Sequence, residues 1–148
     1  AGDGDYLHLV AQEKDGGEGV RFLGEVAENT KRDLLAGAEM LVLPSRYEAQ
    51  GLVILEAWAQ GTPVIATDVA GPRELITDGV DGILVAPGDP TMLATWMDIM
   101  LSANDTREMG ARGREKAQDY RWSALGDRFL DIYRMARDRA ALSNSPRS

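Results

Sequence analysis

Glu48 and Glu56 are the two residues whose type and spacing best suit chemistry. They stand eight positions apart in Leu43-Pro44-Ser45-Arg46-Tyr47-Glu48-Ala49-Gln50-Gly51-Leu52-Val53-Ile54-Leu55-Glu56, one in a loop and one in the apolar run that follows. That run, to Gln60, reads as a helix closed by Gly61, so the turn at Gln50-Gly51 brings backbone N–H groups to a helix N-terminus. A strand ending at Leu43 would put this N-terminus at the carboxyl end of a parallel sheet. Ligands of α/β sheets bind there, and a diphosphate is favoured by the unpaired amides and the helix dipole. Glu56, about one turn into the helix, would accept hydrogen bonds from vicinal hydroxyls, as an acidic residue does for a ribose. Both carboxylates would then open onto one cleft. Without context such a pair is ordinary solvated surface, so the surrounding elements decide its meaning.

Short apolar runs alternate with amphipathic segments as far as residue 90 or so, the pattern of strands and helices over a parallel sheet. Strands are expected at Val20–Leu23, Met40–Leu43, Pro63–Ala66 and Ile83–Val85. Helices are expected from about Tyr6 to Lys14, from Thr30 to Ala38 with Asn29 or Thr30 as cap, and from Leu52 to Gln60. After Pro87-Gly88-Asp89-Pro90 the pattern turns wholly helical, with segments from Pro90 to Leu101, Asp105 to Gln118 and Ser123 to Ala140. Leu125, Phe129, Ile132, Tyr133 and Met135 form an apolar stripe suited to the sheet or to a neighbouring domain. Trp58 and Trp96 belong to the core, and Gly71, Gly79, Gly82 and Gly88 read as turn residues. Arg73-Glu74 reads either as a local helix cap or as part of the cleft. The fold class is α/β: a Rossmann-like parallel sheet with helices on both faces and an all-helical C-terminal segment. Residues 1–142 form one domain and 143–148 a disordered tail. Ala1-Gly2-Asp3-Gly4 reads as the loop after a buried strand that the sequence lacks, so a fragment of a longer protein is expected.

The 148 residues, 44% of them apolar, suffice for one core. A formal charge of −8 argues against general affinity for nucleic acid or anionic lipid, which depends on clustered Lys and Arg. With no cysteine, disulfides, thiolate metal sites and cysteine nucleophiles drop out. No apolar run reaches membrane-spanning length, which makes the cytoplasm the default location. The single histidine, His8, beside Tyr6 and Leu9 on a helix, reads as structural. Arg46 could reach a phosphate or stack on Tyr47.

The segment around the two glutamates resembles the E-x7-E motif of retaining, family-4 GT-B glycosyltransferases, with Glu48 and Glu56 as the acids. Flanking pieces follow in that family's order: Gly2-Asp3-Gly4, Val20-Arg21-Phe22-Leu23-Gly24, Pro44-Ser45, Gly61-Thr62-Pro63-Val64, Gly71-Pro72-Arg73-Glu74 and Asp81-Gly82-Ile83-Leu84-Val85-Ala86-Pro87-Gly88-Asp89. The resemblance covers residues 1 to about 120 and implies the C-terminal, donor-binding half of such an enzyme. It implies that Glu48 contacts the transferred sugar and stabilises an oxocarbenium-like transition state. It gives the amides of Gln50 and Gly51 to the sugar, those of Leu52 and Val53 to the diphosphate, and Glu56 to the ribose. Leu23, Gly24 and Val26 would lie against the base. No metal and no cofactor is implied; the donor is a substrate, a UDP- or GDP-sugar, and amides with basic side chains neutralise the leaving phosphate. Retention in such enzymes is ascribed to same-face attack, with the donor phosphate taking the acceptor's proton.

Ala49-Gln50 stands where members commonly carry Gly-Phe, which leaves the donor open. The family's diphosphate-gripping Arg and Lys lie upstream and have no match in this chain. The implied partners are a nucleotide sugar, the missing N-terminal GT-B domain and an acceptor glycan or lipid, with no nucleic acid. The resemblance leaves room for peripheral association of the full-length protein with the inner face of the membrane. The alternatives are a catalytically inactive sugar-nucleotide-binding module and a GT-B sugar-nucleotide epimerase relative.

Overall fold

The computed structural model describes residues 21–103, 106–121, 126 and 129–137. The expected helix from Tyr6 to Lys14, the loop at 2–4, His8, Val20, Leu125 and the tail at 143–148 lie outside the described residues. The described elements run α1 (Glu28–Gly37), β1 (Leu41–Leu43), α2 (Leu52–Gln60), β2 (Val64–Thr67), α3 (Ala70–Leu75), β3 (Ile83–Val85), α4 (Pro90–Ser102) and α5 (Thr106–Ala117). A 3-10 turn at Gln118–Tyr120 extends α5, and 126 and 129–137 are helical.

The three strands pair in parallel in the order β1-β2-β3, with Leu43 beside Ala66 and Ala66 beside Leu84. All four residues of β2 are buried, as a central parallel strand covered on both faces requires. Successive side chains serve opposite layers. Val64 and Ala66 join Leu35 of α1, Ile54, Ala57 and Trp58 of α2 and Leu75 of α3 in one core. Ile65, Ile83 and Val85 pack with Met100 of α4 in the other, where Trp96 is only half-buried. The structure is thus α/β, with a parallel sheet between helical layers.

Two expectations near the start of the described residues need correction. Residues 21–23, read as a strand with Val20, carry no strand pairing. The N-cap of α1 is Ala27, with no side-chain cap, and not Asn29 or Thr30; the Asn29 side chain instead accepts the Thr30 amide at 2.8 Å, within the first turn of the helix. By contrast, α2 has the expected bounds, because Gly51 and Gly61 adopt left-handed φ angles of 64° and 79° at its two ends. Asp89 caps α4 by accepting the Met92 amide at 2.9 Å, with Pro90 at the first helical position.

Candidate functional site

The loop from β1 into α2 folds back on its own glutamate. Glu48 Oε1 accepts the amides of Gln50 at 3.3 Å and Gly51 at 3.0 Å. The Gly51 carbonyl accepts the Ile54 amide at 2.8 Å, so α2 opens on that residue. No described group accepts from the amides of Leu52 and Val53. Four successive N–H groups therefore gather at one helix N-terminus, two of them on a carboxylate and two without a partner among the described residues, an arrangement suited to an anion. Gly51 is required by more than its φ, since a Cβ there would meet Ile54 Cδ1 at 3.0 Å and Leu75 Cδ1 at 3.3 Å.

Two contacts from the next element fix this loop. The Thr67 hydroxyl, at the end of β2, donates to the Ser45 carbonyl at 2.5 Å. The Gly71 amide donates to the Glu48 carbonyl at 2.8 Å. A Cβ on Gly71 would sit 2.8 Å from Ala49 C, Gln50 N and Glu48 O, all backbone atoms. Gly71, expected in a turn, is thus inside α3 and packed against the loop. Gly82, also expected in a turn, is a close approach, with Val64 O 3.1 Å from the position of its absent Cβ. Gly79 and Gly88 have the left-handed φ of turns, 72° and 80°.

Glu56 lies in the second turn of α2 and is met from α1. Lys31 Nζ donates to Glu56 Oε1 at 3.0 Å and to Glu28 Oε1 at 3.1 Å, and it lies 2.9 Å from Glu28 Oε2. Hydrogen bonds to Glu28 and then Glu56 hold the Lys31 ammonium above its usual pKa. Glu56 lines two openings, one of about 350 Å³ with Glu28, Lys31 and Arg32, the other of about 320 Å³ with Leu52, Arg114, Tyr120 and Arg121; Glu48 lines neither. Leu23, Gly24 and Val26 lie in the unpaired stretch leading into α1. Leu23 is exposed, Gly24 has φ +63° and open space around it, Val26 is half-buried, and no described hydrogen bond ties them to α2.

Arg46 is exposed and Tyr47 is 95% exposed, with no described ring contact between them. Arg73 is inside α3, where its Nε donates to Asp68 Oδ1 at 2.6 Å and a terminal nitrogen to the Asp68 carbonyl at 2.9 Å. Among the described residues no group of three His, Cys, Asp or Glu side chains is placed to hold a metal, and no helix is long and apolar enough to cross a membrane. Sequence reasoning passed over Lys31 and Thr67 and read Gly71 as a turn residue. Each acts on a partner at least 22 positions away, and no local pattern announces such a pairing.

Comparison with known proteins places this chain in a family. The family described as "Glycosyl transferases group 1" matches residues 1–103. An uncharacterized glycosyltransferase, MJ1607 of Methanocaldococcus jannaschii, is 36% identical over 141 residues, covering 92% of this chain and 36% of that protein. The glycogen synthase of Thermus thermophilus is 35% identical over 136 residues, 91% of this chain and 30% of its own length. Among solved structures, the sucrose-phosphate synthase of Thermosynechococcus elongatus superposes with TM-score 0.79 at 32% identity, over 90% of this chain and 34% of that one. HepE of Anabaena, solved in complex with UDP-glucose, does so with TM-score 0.75 at 26% identity, over 91% and 38%. The chain spans about a third of the length of these relatives. By its family match, its relatives and its parallel sheet between two helical layers, the chain belongs to the group 1 glycosyltransferases of GT-B fold.

Proposed function

We propose that this chain is the donor-binding half of a retaining, family-4-type GT-B glycosyltransferase that moves a sugar from a nucleoside diphosphate to an acceptor glycan or lipid. The observation that carries the reading is the start of α2, where two N–H groups sit on Glu48 and the next two have no partner among the described residues. The diphosphate would take the Leu52 and Val53 amides, where the helix dipole favours negative charge. The sugar would lie across Gln50, Gly51 and Glu48, displacing the carboxylate from at least one of the amides it now holds. Once free, Glu48 faces the anomeric carbon as positive charge develops there, and its stabilisation peaks in the transition state. Glu56 would accept the ribose hydroxyls, and Leu23, Gly24 and Val26 would meet the base. HepE was solved with UDP-glucose, which supports a nucleoside-diphosphate sugar as the donor here. Attack from the leaving-group face, with the donor phosphate as proton acceptor, would retain the anomeric configuration. The partner domain would be an N-terminal GT-B domain carrying the acceptor site, on the cytoplasmic side of the membrane.

Substitutions in the full-length protein test these roles. Glu56→Ala is expected mainly to raise the donor KM, by the ~1.5–3 kcal/mol of a hydrogen bond to a charged group. Glu48→Ala is expected to lower kcat by roughly 10²-fold or more. Steady-state kinetics with UDP- and GDP-sugars separate the two. Equal effects, or little effect of either change, would favour an inactive binding module instead.

A further inference from the structure

The Lys31 ammonium has three protons to donate, and three carboxylate oxygens lie within reach. Those are Glu56 Oε1 at 3.0 Å, Glu28 Oε1 at 3.1 Å and Glu28 Oε2 at 2.9 Å. Lys31 thus bridges the two glutamates, with one hydrogen bond to each. On Glu56, Oε1 has a single described partner and Oε2 has none. Its side chain is 40% exposed and that of Lys31 32%, so the pair is open enough to receive a ligand and shielded enough to hold one geometry. A glutamate on a helix has several rotamers, and freezing one in advance removes an ordering cost from binding. Without the ammonium, the Glu28 and Glu56 carboxylates would face each other with no cation between them, and Glu56 would swing out toward water.

We propose that Lys31 is the positioning residue for Glu56, fixing its carboxylate for a ribose diol and so setting the preference of this protein for ribonucleotides over 2′-deoxyribonucleotides. The inference rests on the assignment of Glu56 to the ribose. It concerns α1, an element to which that assignment gives no part. The ammonium touches no ligand itself. It acts through the angle and rotamer it imposes on its neighbour, 25 positions away in sequence.

Calorimetric binding to the full-length protein, with UDP against 2′-deoxy-UDP and GDP against 2′-deoxy-GDP, provides the test. Wild type should prefer the ribo form of whichever base it binds. Lys31→Met should shrink that preference by about tenfold, the loss of one hydrogen bond to a charged group, with the deoxy form bound as before. Lys31→Arg, which keeps a donor and a positive charge, should restore most of the preference. A Lys31→Met protein that weakens both forms alike, or leaves the ratio unchanged, overturns the proposal, since a merely structural lysine would not distinguish them. Glu56→Ala separates the two failures: if it leaves the ratio intact, the ribose assignment itself falls, whereas loss of the ratio there but not in Lys31→Met refutes only the role of Lys31.

Discussion

Gly71 shows how much of the site depends on an atom that is absent. Its Cβ would stand 2.8 Å from three backbone atoms of the 48–50 loop, and backbone cannot swing aside as a flexible side chain does. Gly71→Ala is therefore expected to cost about 1–3 kcal/mol, the range for overpacking, and to raise the donor KM of the full-length protein by shifting the Glu48 loop. Urea denaturation and donor kinetics read the two effects. Gly37→Ala serves as the control, since Gly37 has open space around it and a φ outside the left-handed region; its stability should change by less than about 1 kcal/mol. Next to Gly71, the Arg73 guanidinium, mainly through its hydrogen bond, holds the Asp68 carboxyl below its ordinary value of 3.8. A depressed carboxyl stabilises the fold above the unfolded pKa, and the contribution is lost as pH falls through the lowered value. The pair should thus be intact at neutral pH and come apart only in acid below 3.8. An NMR titration of Asp68 should find its midpoint below that value, and Arg73→Gln should return it upward.

At the scale of elements, α5 is laid on α2 by residues three apart, which share one helix face. Gly110 lies against the Gly61 carbonyl and Gly113 against the Trp58 ring, with no room for a Cβ at either. Lys116, one turn on, sits 5.4 Å from the Trp58 ring centroid and reaches Asp81 Oδ2 at 2.7 Å. Trp58 Nε1 donates to the Asp81 carbonyl at 3.1 Å, and Asp81 Oδ1 accepts the Thr77 amide at 2.7 Å. The helix carrying Glu56 is thus clamped from behind. Gly113→Ala is expected to destabilise by about 1–3 kcal/mol and Trp58→Ala by about 3–5 kcal/mol, both measurable by urea denaturation. Legibility in the sequence follows the range of the forces at work. The bounds of α2 and β3 could be read because their signals are local: left-handed glycines around an apolar run, and an apolar triplet after a turn. The helix α3 could not, because six residues containing Gly and Pro have little helical preference, and their helix is held by the contact of Gly71 with Glu48. Likewise Glu48 and Glu56 can be singled out from sequence by type and spacing alone, whereas the Lys31 contact depends on how two helices pack.

At the scale of the whole molecule, the described residues hold a binding surface more than an enclosed reaction chamber. Tyr47 is 95% exposed and Leu52 59%, so the start of α2 is open to water. The helix at 129–137 exposes Phe129, Leu130, Ile132, Tyr133 and Met135, between 53% and 73% each. Among the described residues these side chains do not pack on the sheet, and cover by a neighbouring domain is the proposed role of the stripe, since apolar patches of this kind mark interfaces. Glycosyl transfer needs an acceptor oxygen held near the anomeric carbon and water kept from the cationic transition state. Neither is provided by four amides and one carboxylate beside open solvent. The chain spans about a third of its relatives, which is consistent with the acceptor site and the cover lying in another domain. The 148-residue chain by itself is accordingly expected to bind a UDP- or GDP-sugar weakly and to neither transfer nor hydrolyse it above background. Calorimetry with each donor, and chromatography of released nucleotide over hours beside the full-length protein, measure the two parts. Robust transfer by this chain alone would show that the described surface closes around its substrates by a route the present geometry does not contain.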